Sequence, residues 1–327
     1  MSLRVGLTTT VPIEVLYAAG VVPVDLNNVF ITSPDALALL EQAEQEGFPR
    51  NVCGWIKGIF ATARAEGIDT VIAVTQGDCS HTHAMIEVME DLGITVIPFA
   101  YPYDRDRDLL ALQIEKLRER FGASPEDVRA MKKRLDEVRR VVREIDLRTF
   151  RDGTVTGFEN HLWQVSCSDM EGDIDRFEQR AREFLREVDK RRPERERLPL
   201  GFVGIPPIFS GLYELVEECG ARIVYNELQR QFAMPFDTED LVEQYTLYTY
   251  PYGIFARLED IKREIRRRGL RGLIHYTQSF CFRQISDIIL RRHVDLPILT
   301  LEGDRPGPIS AGVRVRVESF IEMLRAS

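Results

Sequence analysis

GIDTVIAVTQGDC, residues 67–79, and GLRGLIHYTQSFC, residues 269–281, read as two copies of one unit. Each opens on a glycine that follows a charged helical run, continues as a short apolar strand, and reaches Thr-Gln-x-x-Cys at the same spacing. Each then enters an amphipathic helix and a second apolar strand, from Ile94 to Phe99 in the first copy and from Leu296 to Leu301 in the second. Strand, helix, strand in this order is the pattern of a parallel sheet with crossover helices. The duplication therefore sets one cysteine just past a strand end in each half of the chain. Paired thiols facing one cleft become a site expectation with a geometric reason behind it.

Working outward, residues 3 to 26 predict a strand from Leu3 to Leu7, a helix from Val11 to Ala19 closed by Gly20, and a strand from Val21 to Leu26. Ser33-Pro34 resembles a helix N-cap followed by proline at the first helical position, and Cys53 precedes the helical run Trp55 to Glu66. From Asp104 to Arg197 the character changes to long charged stretches. Val128, Met131, Leu135, Val138, Val141 and Ile145 recur at three- and four-residue intervals and give one helix an apolar face. Leu198 reopens the first order: strand, proline-bearing loop, helix from Ile208 to Glu218, glycine, strand. The expected fold is α/β: two doubly wound parallel-sheet domains related by internal duplication, residues 1–103 and 198–327, with a helical insert and linker at 104–197.

A chain of 327 residues with 44% hydrophobic composition buries a sizeable core. No apolar run reaches the roughly 18 residues that span a bilayer, and the first ten residues lack a secretion-signal pattern, so a cytoplasmic protein without a membrane role is expected. Forty-three Lys and Arg against 52 Asp and Glu leave a net charge of −9 and disfavour a nucleic-acid partner, although Arg263 to Arg268 forms a local basic run. There is no G-x-x-x-x-G-K-[ST] phosphate loop, no G-x-G-x-x-G fingerprint and no G-x-S-x-G elbow. Any need for ATP falls to another protein.

The five cysteines, Cys53, Cys79, Cys167, Cys219 and Cys281, are scattered and never paired as C-x-x-C, which argues against a disulfide framework. Open parallel sheets bind ligands at the carboxyl ends of their strands, where Cys79 and Cys281 are expected, and Cys53 sits before a helix whose N-terminus favours a thiolate. Cys167 and Cys219 read as buried small residues. Three converging thiolates suit zinc or an iron–sulfur cluster and leave one metal position open, as catalytic metal sites do. His81 and His83 raise a zinc alternative, Cys-x-His-x-His. At helical spacing, however, Cys79 and His83 share a face and His81 does not.

Pro12-x-Glu14 before Ala18-Ala19-Gly20, Cys53-x-x-x-Lys57, the strand-end Cys79, Phe280-Cys281 and Leu301-Glu302-x-Asp304 before a final helix together resemble the 2-hydroxyacyl-CoA dehydratase family. That family includes benzoyl-CoA reductase subunits and double-cubane-cluster proteins. The resemblance runs in order along nearly the whole chain. It implies a four-iron four-sulfur (4Fe-4S) cluster held by Cys53, Cys79 and Cys281 with one open iron position, and a partner ATPase, itself an iron–sulfur protein, that injects an electron at low potential. It also implies pairing with a second copy or a related subunit, and a small-molecule substrate such as a CoA thioester. Five cysteines cannot give three to each of two cubes, so a double cubane is expected only if shared between chains. Glu14 and His81 are the candidate catalytic side chains, each with a plainer reading as a polar residue in the first turn of a helix. Ser80 and Phe282 stand where many members carry aspartate after the second and third cysteines, which predicts a divergent branch. Two alternatives stand beside the dehydratase or reductase reading: a non-catalytic electron-transfer or cluster-carrying subunit, and a zinc- or ligand-binding module without a cluster.

Overall fold

The strands in both halves of the chain are apolar over most of their length, and strands buried on both faces belong to parallel sheets covered by helices. The computed structural model, which describes residues 3–326, contains two such sheets. Strands β1 (Arg4–Leu7), β2 (Val22–Asp25), β3 (Thr70–Gln76) and β4 (Thr95–Ala100) form the first, in the order β2-β1-β3-β4. Next in the chain come β5 (Leu198–Gly204), β6 (Phe209–Ser210), β7 (Ala221–Asn226), β8 (Gly272–Gln278), β9 (Ile298–Gly303) and β10 (Gly307–Pro308). The second sheet runs β7-β5-β8-β9, all parallel, with Phe202 paired to Ile274 as Leu7 is to Ile72 in the first. The two sheets thus share one strand order, as the duplicated sequence predicts.

In a sheet of this order the connections leave the central pair of strands in opposite directions, opening a crevice at their carboxyl ends. The loops after β1 and β3 line that crevice in the first sheet, and those after β5 and β8 in the second. Both sets meet in one cavity. Gly77, in the turn after β3, has φ +98°, and an added Cβ there would lie 2.7 Å from Cβ of Pro251. Only glycine lets this turn approach the second half so closely.

Between the sheets run helices Arg107–Phe121, Pro125–Arg151, Gly157–Val165 and Ile174–Val188. The apolar stripe read from the sequence lies on Pro125–Arg151, where Leu135, Val138 and Val142 are fully buried beside Leu16 and Phe177. Helix Leu26–Thr32 was not expected: Asp25, the last residue of β2, caps it by accepting from the Asn27 amide. The helix expected from Ile208 begins only at Leu212. Pro206 and Pro207 carry no amide hydrogen, Phe209–Ser210 pairs with β10, and Gly211 turns the chain at φ +90°. The basic run 263–268 is largely neutralised: Arg268 is buried against Asp146 and Glu264, and Arg263 and Arg267 pair with Asp260 and Glu264. Among the described residues, no helix is long and apolar enough to cross a membrane.

Candidate functional site

Cys53, Cys79 and Cys281 all line the cavity between the two sheets. Cys53 is the N-cap residue of helix Gly54–Ala65, and the amides of Trp55 and Ile56 point at its sulfur. Cys79 follows β3 and receives the His81 amide; Cys281 follows β8 and receives the Arg283 amide. Each sulfur therefore already faces donors that favour the thiolate. Burial opposes them, pushing Cys53 up to about 12 and Cys79 up to about 11 and raising Cys281. The thiols also sense one another: charge on Cys79 or Cys281 raises Cys53 further. Without a cation among them, these are neutral thiols at pH 7.

Among the described residues, no three His, Cys, Asp or Glu side chains are gathered tightly enough to hold one metal ion. The three thiols share the wall of one cavity. His83 turns its Nε2 to the Thr75 carbonyl at 2.7 Å, away from a Cys79-x-His81-x-His83 set.

The remaining walls come from three directions. At the end of β2 and just beyond it, Asp25, Asn27 and Asn28 line the cavity; Asp25 accepts from the Asn27 amide and Nδ2, both at 2.9 Å, and its own amide donates to Asp169 at 2.8 Å. Burial raises both carboxyls, and the charge of Asp25 helps to bring Asp169 up to about 7. Beside Cys79, burial pushes Asp78 up to about 6, with the Arg283 guanidinium pulling the other way. Arg283 donates to the Tyr250 carbonyl at 2.8 Å and lies over the Tyr250 ring. Trp55, Ile56, Ile59, Val165 and Phe232 supply apolar surface.

The third direction is the intervening helical segment, which adds His161 and Val165, one helical turn apart on helix Gly157–Val165. Nothing in the local sequence marks His161, because Phe158, His161 and Val165 read as an ordinary helix face. Asp25, Asn27 and Asn28 were also missed, although their place after a parallel strand was a usable signal.

Glu14 is placed elsewhere. It is fully buried beneath the helical segment, accepting from Arg139 and Gln244 at 2.7 Å each and from Tyr245 at 2.8 Å, and it does not line the cavity. His81 presents its amide to Cys79, but its ring is not in the cavity wall and its Nδ1 is enclosed without a partner. Cys167 is buried and donates to the Trp163 carbonyl; Cys219 caps the C-terminus of helix Leu212–Glu218. Neither reaches the cavity.

Lys57 is also structural here. Its buried ammonium binds Glu44 at 2.7 Å, and Glu44 in turn accepts from Arg305 of the loop after β9, tying the two halves together at the edge of the site.

A search of curated proteins returns no match. The family model described as 2-hydroxyglutaryl-CoA dehydratase, D-component, matches residues 8–324, which takes in three of the four strands of the first sheet, the helical segment, the whole second sheet and all three cavity cysteines. The chain belongs to the 2-hydroxyglutaryl-CoA dehydratase D-component family, and is a 2-hydroxyacyl-CoA dehydratase-like subunit.

Proposed function

We propose that this chain is the cluster-bearing subunit of a lyase that removes water from a 2-hydroxyacyl-CoA thioester, with one thiolate each from Cys53, Cys79 and Cys281 holding a four-iron four-sulfur cube. The observation that carries the reading is that three thiols from separate chain segments meet on one cavity, each faced by backbone amides. Bound there, the cluster would supply a one-electron reductant and one Lewis-acidic iron with an open position.

The chain's own residues do the rest. Trp55, Ile56, Ile59, Val165 and Phe232 exclude water and lower the local dielectric, so each polar contact gains strength. Arg283 is a cation on the cavity wall for the electron-rich side of an acyl thioester, and Asn27 and Asn28, whose Nδ2 groups are taken by Thr8, Asp25, Val165 and Ser168, add polar surface to the same cavity. With no phosphate loop in the sequence, the low-potential electron is assigned to a separate ATP-hydrolysing iron–sulfur protein. A second copy or related subunit completes the assembly.

Electron paramagnetic resonance on dithionite-reduced, oxygen-free protein tests this reading. The expected result is the signal of a one-electron-reduced cube that is lost in Cys79→Ala and changes when a 2-hydroxyacyl-CoA is added. A signal indifferent to the thioester would favour an electron-carrying subunit whose partner holds the substrate. No signal after reconstitution with iron and sulfide would overturn the proposal.

A further inference from the structure

His161 is 9% exposed and is held by a run of hydrogen bonds whose direction is fixed at its far end. Asn226 Nδ2 faces the Gly157 carbonyl at 3.4 Å, and a carbonyl only accepts, so the amide oxygen of Asn226 must face Tyr213. The Tyr213 hydroxyl donates to that oxygen at 2.8 Å, which commits its single proton. At 3.2 Å from the same hydroxyl, His161 Nδ1 must therefore be the protonated nitrogen and donate to it. Nε2 is left with its lone pair. It makes no hydrogen bond to the protein and is not among the enclosed atoms, and His161 is one of the residues that line the cavity. Phe158 stacks on the imidazole at 16° and holds the ring plane. Burial keeps the ring neutral, bringing its pKa down to about 4.

A fixed nitrogen lone pair without a protein partner asks for a donor. The acyl head of a 2-hydroxyacyl thioester carries one hydrogen-bond donor, its hydroxyl; the thioester carbonyl and the hydrocarbon carry none. We propose that His161 Nε2 accepts the hydrogen bond of the substrate hydroxyl and sets the preference for hydroxylated over unhydroxylated acyl thioesters, with Tyr213 and Asn226 as positioning residues that fix its tautomer. This rests on the substrate class proposed above. An acyl thioester without the hydroxyl leaves Nε2 unpaired, and sites built to bond a hydroxyl reject analogues that lack it.

The test is calorimetric binding of 2-hydroxyglutaryl-CoA and glutaryl-CoA to the full chain purified without oxygen, with iron and sulfide measured on each sample. The wild type is expected to prefer the hydroxylated thioester by about tenfold or more. His161→Phe should bring the two affinities to within about twofold of each other, by weakening 2-hydroxyglutaryl-CoA, strengthening glutaryl-CoA, or both, with iron content unchanged. His161→Gln, which keeps an acceptor, should retain part of the preference, and Tyr213→Phe should reduce it. A preference that survives His161→Phe overturns the proposal, as does a wild type that binds both thioesters equally or neither. Loss of iron in His161→Phe also overturns it, by making the residue a ligand. Iron-free wild-type protein that still shows the preference would leave the hydroxyl acceptor standing and remove the cluster reading instead.

Discussion

Cys79 and Cys281 occupy matching places in two sheets of the same strand order, each just beyond the third strand of its unit, and both open on one cavity. The duplication thus brings two equivalent strand ends face to face, and Cys53 joins them from the helix N-terminus beside them. Geometry of this kind depends on close approach between the two halves, as at Gly77 against Pro251 and Gly54 against Asp304.

Gly54 follows Cys53, and a Cβ there would lie 2.6 Å from the Asp304 carbonyl oxygen. Gly54→Ala forces the Cys53 turn and the loop after β9 apart. It should cost about 1–3 kcal/mol of stability and most of the iron content, with every thiol still present. A Gly54→Ala protein with full iron would show that this approach does not position Cys53.

Glu14 and Arg139 form an ion pair with both side chains essentially removed from solvent. Burial opposes the charge, yet Arg139 and the Tyr245 hydroxyl together hold the Glu14 carboxyl below its ordinary range. Glu14→Ala leaves a guanidinium buried without its partner, and should destabilise the fold by about 3–5 kcal/mol, read by chemical denaturation. A stable Glu14→Ala protein that has lost only turnover would return Glu14 to the catalytic role that its motif position implies.

Much of this was legible in the sequence, and the rest was hidden for physical reasons. Apolar strands bounded by glycine, and cysteines just past their ends, are local patterns, so both sheets and the three cavity thiols could be placed. Helix Leu26–Thr32 was hidden because Asp25 serves at once as the end of β2 and as the cap of the next helix. His161 was invisible for a different reason. Its significance lies in Tyr213 and Asn226, which the fold brings from the second sheet and its helix to a segment whose charges read only as solvated faces. Glu14 was misleading in the same way, since Arg139 and Tyr245 reach it from distant parts of the chain.

Asp169 is buried beside Asp25, and burial first, then the charge of Asp25, bring it up to about 7. The folded chain therefore keeps a proton that the unfolded chain releases near the ordinary carboxylate pKa of about 4. The associated stability is complete below about pH 4 and is lost as pH rises through about 7, with an upper bound of about 4 kcal/mol. Denaturation midpoints should fall from pH 5 to pH 8 more steeply in the wild type than in Asp169→Asn. Parallel profiles for the two proteins would contradict the buried, protonated carboxyl.

Iron and acid-labile sulfide content, measured on protein purified without oxygen, bears most directly on the central claim that Cys53, Cys79 and Cys281 hold one cube. The account predicts about four irons and four sulfides per chain, lost on replacing any one of these three cysteines by alanine and retained in Cys167→Ala and Cys219→Ala. Equal loss from all five replacements, or zinc or no metal in the reconstituted wild type, would contradict it.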